Sequence, residues 1–231
     1  MVSKTLLAAV IIIFICTGFY PGGIMNHGII WAGQKISLPE PVQDGEMSVE
    51  RSISQRRSTR SFSPEALTLD QASQILWSAQ GITHKSRNFR AAPSAGATYP
   101  LEIFLVAGMV KGLETGVYRY VPANHSLVRV LDSDRRNELY AQALRQGSVR
   151  DAPAVVVIAG VFERTTNRYG TRGRQYVFME VGHVGQNIHL QAESLGLGTV
   201  VIGAFDDSGV QRVLDLPEEV VPFYIMPLGK K

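Results

Sequence analysis

Apolar positions repeat along this chain in three rhythms, and each predicts a different kind of element. Over residues 6–20 they run almost unbroken (LLAAVIIIFICTGFY), preceded by Lys4 and by no acid. A core helix would keep a polar face, so this run reads as an export signal or a membrane anchor. It is shorter than the roughly 20 residues of a spanning helix, and Pro21-Gly22-Gly23 ends it without a small-x-small cleavage site. The resulting expectation for residues 1–21 is an anchor rather than a cleaved signal, with Lys4 on the cytoplasmic side and the domain outside. Residues 22–46, rich in Gly, Pro and short polar side chains, read as a linker or arm over the surface, and the domain proper as 47–231.

In the second rhythm apolar residues fall three and four apart. Thr68 with Gln71 makes a capping box, and Leu69, Ala72, Ile75, Leu76 and Ala79 predict a core helix that Gly81 ends. Val177, Val181, Val184, Ile188, Ala192 and Leu195 predict a long helix over 175–195. A polar stripe of Tyr176, Glu180, His183 and Asn187 runs beside them. Gly182 and Gly185 lie inside that helix at a cost of about 1 kcal/mol each relative to alanine, which implies close approach by another helix or a cofactor.

The third rhythm is that of short apolar strands, at 103–107, 117–120, 127–130, 154–159, 199–202 and 223–227. Pro122-Ala123-Asn124-His125 turns a hairpin between the second and third of them. Helices interrupt the strands irregularly, so the predicted fold class is α+β, a mixed central sheet flanked by helices, rather than a strictly alternating doubly wound one.

Composition narrows the function classes. The 231 residues, 45% hydrophobic and 19% charged, suit one globular domain plus a short N-terminal segment, with no internal repeat or low-complexity tract. The net charge of +3 is scattered, without a basic face interleaved with aromatic residues, which argues against nucleic acid as a partner. Cys16 is the single cysteine and lies in the apolar run, so cysteine nucleophiles and Cys/His zinc sites are excluded by counting. Glu180-x-x-His183 matches half of a di-iron carboxylate motif, but no second such pair occurs, so no metal is expected.

Candidate chemistry gathers in three segments. In Arg56-Arg57-Ser58-Thr59-Arg60 the alternate residues Arg56, Ser58 and Arg60 share one side of an extended stretch. Two guanidinium forks and a hydroxyl suit a phosphate dianion, although a solvated basic turn has the same sequence. Residues 90–102 (RAAPSAGATYPLE) place small residues, prolines and a glycine before a strand, leaving polar backbone to face something flat. Val200-Val201-Ile202-Gly203-Ala204-Phe205-Asp206 is either a buried strand and turn or a strand end with backbone donors to spare.

In this order and at these distances the three segments resemble the nitroreductase family of FMN-dependent oxidoreductases, in the branch that includes SagB-type dehydrogenases. The resemblance covers about residues 36–230. It implies that Arg56, Ser58 and Arg60 hold the FMN phosphate, with Arg57 beside the ribityl chain or ring edge and Lys230 near the phosphate. Pro93, Ser94, Ala95 and Gly96 would pack on the flavin from the partner subunit, so a homodimer is implied. Backbone N–H groups of Ile202 and Gly203 would point at flavin N5. Where the bacterial nitroaromatic reductases have an Asn and a Gln-Pro-Trp, this chain has Ala97 and Thr98-Tyr99-Pro100-Leu101, as is usual in the SagB-like branch.

The implied reaction is a ping-pong exchange: a reductant such as NAD(P)H gives hydride to N5 and leaves, and a second small molecule takes the electrons. Azoline-forming oxidases of the family use a Lys-Tyr pair. Here Gln175-Tyr176 stands nearest, which leaves Tyr176 as the candidate catalytic side chain. An NAD(P)H-driven quinone or nitro-compound reductase, a flavin-binding module without turnover, and a membrane-tethered interaction protein are the alternatives.

Overall fold

A computed structural model describes residues 33–231 of the chain. The described strands are β1 (Lys35–Ser37), β2 (Leu67–Thr68), β3 (Ile82–His84), β4 (Phe89–Arg90), β5 (Leu101–Ala107), β6 (Val110–Lys111), β7 (Gly116–Val121), β8 (Ser126–Leu131), β9 (Ala154–Gly160), β10 (Leu197–Thr199) and β11 (Val221–Lys230). The α-helices are α1 (Val49–Gln55), α2 (Leu69–Gln80), α3 (Arg136–Gln142), α4 (Gly147–Asp151), α5 (Glu163–Tyr169), α6 (Gly173–Ser194) and α7 (Asp207–Leu214).

Seven strands form one sheet in the order β1-β8-β7-β5-β9-β11-β10. Its neighbours all pair antiparallel. Its mixed character appears only at the β10 edge, where Ser58 bridges Thr199 in parallel. Central strands β5 (LEIFLVA) and β9 (AVVVIAG) are buried at every residue, which explains their unbroken apolar sequence. Leu101, Ile103, Leu105, Val156 and Ile158 join the apolar faces of α2 and α6 in one core.

The capping box forms as its spacing predicts: Thr68 Oγ1 accepts from Gln71 N–H at 3.1 Å, and Gln71 Oε1 accepts from Thr68 N–H at 3.0 Å. Helix α6 buries Val177, Val181, Val184, Ile188 and Ala192, the stripe read from the sequence. The hairpin β7–β8 turns over Pro122–Asn124, with His125 in the left-handed region.

Part of the stretch read as a linker or arm joins the domain. β1 pairs with β8 at the sheet edge, and Val42 exchanges hydrogen bonds of 2.8 and 2.9 Å with the side-chain amide of Gln74 on α2. The apolar run at residues 6–20 lies outside the described residues.

Candidate functional site

The basic segment leaves the C-terminus of α1 as extended chain. Ser58 bridges Thr199, and Thr59 N–H donates to the Thr199 carbonyl at 2.9 Å. It can lie this close to the sheet because Gly198 and Gly229, directly paired across β10 and β11, present no side chains. A Cβ on Gly198 would stand 2.6 Å from Thr59 Cβ, and one on Gly229 2.7 Å from Phe62 Cβ.

Alternate residues of the segment then divide by task. Arg57 folds back, its Nη1 donating to the Ser54 and Arg56 carbonyls at 2.9 and 2.8 Å, which satisfies the end of α1. Arg56, Ser58 and Arg60 have no side-chain hydrogen bond or ion pair among the described residues. Two buried polar side chains adjoin them. Thr199 Oγ1 has no hydrogen-bond partner among the described residues. His189, on α6, makes no hydrogen bond among them either, and burial together with the Arg56 charge pushes its imidazole down to about 4. Unpaired guanidinium groups and an unpaired buried hydroxyl fit the demands of a phosphate, which accepts hydrogen bonds and carries negative charge.

Residues 93–99 make a second, strained feature. Gly96, Ala97 and Tyr99 have φ of 58°, 54° and 46°, which costs the alanine and the tyrosine about 1–2 kcal/mol each. Side chains fasten this conformation. Ser94 Oγ accepts from Tyr99 N–H at 2.9 Å, Thr98 Oγ1 donates to the Ala95 carbonyl at 3.0 Å, and Arg168 Nη1 donates to the Gly96 carbonyl at 3.1 Å.

Behind this loop runs a buried polar network. Ser94 adjoins Glu180 of α6 and favours its ionised form. Gln80 Nε2 donates to Glu180 Oε1 at 3.2 Å, and Arg90 Nη1 donates to Gln80 Oε1 at 3.0 Å. The Arg90 guanidinium stacks 4.3 Å from the centre of the Tyr99 ring. Glu180 is 2% exposed. Burial raises its carboxyl to about 7, against the opposing pull of Ser94, Gln80 and Arg90. Glu102, on β5, is paired with Arg164 at 2.6 Å and Arg119 at 2.7 Å. Gln80, Arg90 and Glu102 were not singled out from the sequence. Their signal was a polar or charged residue inside an otherwise apolar pattern, as in Glu102 of LEIFLVA.

The other expected site residues separate into available and committed groups. Ile202 exchanges both backbone hydrogen bonds with Ile225 at 2.9 Å, so its N–H is not free for a ligand, contrary to expectation. The N–H of exposed Gly203 has no partner among the described residues. The Lys230 ammonium is paired with Glu65 at the surface, and its carbonyl accepts from Ser63 N–H. Tyr176 is half-buried and meets Tyr169 edge to face at 5.1 Å. Of its stripe, Asn187 ties α6 to the Ser78 and Ala91 carbonyls at 3.1 and 3.3 Å, whereas His183 is exposed.

The model of the nitroreductase family matches residues 53–230. The chain belongs to the nitroreductase family. Among relatives, it is 48% identical over 186 residues to a Methanocaldococcus jannaschii protein that carries a provisional nitroreductase name, covering 80% of this chain and 92% of that one. It is 31% identical over 139 residues to the Escherichia coli microcin B17-processing protein McbC, covering 57% of this chain and 50% of McbC. Among solved structures, a provisionally named nitroreductase from Anabaena variabilis superposes with a TM-score of 0.76 at 33% identity, over 86% of this chain and 42% of that one. The NADPH:FMN oxidoreductase of Vibrio harveyi, solved with NAD+, gives 0.57 at 25% identity, over 79% and 68%. The chain thus spans about half the length of McbC and less than half of the Anabaena chain.

Family membership makes this chain one of a family of oxidoreductases and agrees with the α+β fold. The expectation of a membrane anchor, an export signal and a domain outside the cytoplasm is withdrawn. Among the described residues no helix is long and apolar enough to cross a membrane, and the relatives found are nitroreductase-family proteins.

Proposed function

We propose that this nitroreductase-family chain is an FMN-dependent oxidoreductase that works as a homodimer, with SagB-type dehydrogenases as its nearest functional counterparts. The observation that carries the reading is the free set of Arg56, Ser58 and Arg60, held on extended chain over the paired glycines Gly198 and Gly229. Arg56 and Arg60 would neutralise the cofactor phosphate, Ser58 would add a hydroxyl bond, and Arg57 would keep the segment's entry fixed through its bonds to α1. FMN, when bound, supplies a ring that accepts hydride at N5 from a reductant and passes electrons to a second substrate in a ping-pong sequence.

The remaining roles fall to the chain's own groups. The free Gly203 N–H would act as a fixed donor where negative charge develops, a task that needs no side chain. The loop bearing Pro93, Ser94, Ala95 and Gly96 would present small residues and polar backbone to the partner's flavin, with its strained conformation held by Thr98, Arg168 and the Glu180 network. Phe178 and Met179, about half exposed on α6, supply an apolar face for the second copy. Tyr176 is the candidate proton donor.

Two chemistries compete for the second half-reaction. The Vibrio harveyi relative, by its name an NADPH:FMN oxidoreductase, supports NAD(P)H as reductant, with a quinone or nitro compound as the acceptor weighed above. The likeness to McbC, by its name a microcin-processing protein, supports a substrate-processing role, for which the family resemblance implies oxidation by the flavin. Anaerobic mixing of the FMN-loaded chain with NADPH or NADH, followed by flavin absorbance, separates them. Rapid bleaching supports the reductase chemistry, and bound flavin that stays oxidised favours the substrate dehydrogenase or a flavin-binding module without turnover. A chain that retains no flavin refutes the proposal.

A further inference from the structure

Two buried side chains, on α6 and β10, remain unexplained by the contacts described so far. Thr199 is 1% exposed and its Oγ1 is fully buried without a hydrogen-bond partner among the described residues; His189, 7% exposed, makes no hydrogen bond among them, although its ring nitrogens are not fully buried. A buried hydroxyl or imidazole left unpaired costs about 1–3 kcal/mol, so such groups are rare unless a ligand satisfies them. Thr199 lies against the basic segment, since Ser58 bridges it and Thr59 N–H donates to its carbonyl; His189 is on α6, which packs on α1 at the start of that segment, and feels the charge of Arg56. Lys230, the basic residue expected to complete the set, is held by Glu65 instead.

We infer that His189 and Thr199 are further phosphate-binding residues, completing the set formed by Arg56, Ser58 and Arg60. This inference rests on the FMN reading and extends it to two side chains that no motif marked. Its chemistry is consistent with a dianion. An imidazole N–H and a threonine hydroxyl are neutral donors, and they add hydrogen bonds without adding to the crowding of Arg56 and Arg60 charge. A phosphate held between Arg56 and His189 would offset the arginine's field, which together with burial keeps the imidazole neutral.

The test compares FMN with riboflavin, which has the same ring and ribityl chain but no phosphate, on the full chain and on the H189A, H189N and T199V variants. Loss of a hydrogen bond to a charged partner should weaken FMN binding about tenfold or more in H189A and T199V, and riboflavin binding by less than about twofold. H189N, which keeps an N–H donor, should recover part of the loss.

A second readout needs no cofactor. T199V replaces an unpaired buried hydroxyl with a methyl of the same shape, so the cofactor-free chain should melt at the same or a higher temperature while its FMN affinity falls. A purely structural threonine would not move the two in opposite directions. Histidine NMR adds a third: the His189 resonance should titrate at higher pH with FMN bound than without it.

Equal losses for FMN and riboflavin, or wild-type FMN affinity in both H189A and T199V, would overturn the inference. If the variant lacking Arg56 and Arg60 loses FMN while these do not, the cofactor reading stands and only the extension fails. If all of them bind FMN as wild type does, both fail.

Discussion

Replacing Glu180 with glutamine keeps the shape of the buried network behind Ser94 and removes its one ionisable carboxyl. The oxygen of the introduced amide can still accept from Gln80 Nε2, and its NH2 group can meet Ser94 Oγ, so the fold should persist. In the native chain burial raises this carboxyl from 4.5 to about 7. A group whose folded value is raised stabilises fully below its unfolded value, and that contribution is lost as pH rises through the folded value. Glu180 therefore costs nothing below about pH 4.5 and costs stability progressively as pH rises to about 7, above which the cost levels off.

The gap of about 2.5 units corresponds to about 3 kcal/mol at the alkaline limit, as an upper figure for one buried carboxyl. Urea unfolding of wild type and E180Q, at about pH 5 and about pH 8, measures it. E180Q should be more stable by less than about 1 kcal/mol at the lower pH and by about 2–3 kcal/mol at the higher. Parallel curves at both pH values, or an E180Q less stable at pH 8, would refute the argument that burial is what Glu180 opposes.

Three other predictions follow from particular contacts. Gly198→Ala sets a methyl against Thr59 where 2.6 Å is available, so it should cost about 1–3 kcal/mol of stability and lower FMN affinity with it, as thermal melting and cofactor titration would show. Thr68→Ala removes the side-chain oxygen that caps α2 and should cost about 1 kcal/mol in urea unfolding, with the spectrum of the folded chain unchanged. Phe178→Asp places a charge on the apolar face of α6 and should move the chain from dimer to monomer in sedimentation equilibrium, with FMN affinity falling in step.

What could be read from the sequence was whatever rests on local periodicity. The capping box and its helix, the buried stripe of α6, the hairpin about residues 122–125 and most of β5, β7, β8 and β9 lie where residue spacing puts them. The last strand runs longer than expected because Pro222 and Pro227 are accommodated in β11 rather than ending it. The strand expected at 199–202 is displaced: β10 closes at Thr199, and Ile202 forms an isolated bridge to Ile225.

Features that depend on distant pairing could not be read in this way. Lys35–Ser37 lacks a long alternating pattern, and its strand exists because β8 offers an edge. The Glu102–Arg164–Arg119 cluster joins three elements, and no single window shows it. Commitment of a residue to a partner elsewhere was equally hidden, which is why Ile202 read as a donor. The close pairing of Gly198 with Gly229, which shapes the basic segment, is visible only once β10 and β11 are side by side.

The central claim is that Arg56 and Arg60 hold the phosphate of FMN. Titration of FMN into the wild-type chain and into a double variant, Arg56→Ala with Arg60→Ala, followed by quenching of flavin fluorescence, addresses it directly. With two charge-assisted bonds removed, affinity should fall by at least about a hundredfold while circular dichroism shows an intact fold. Equal FMN affinity in the two proteins would contradict the account.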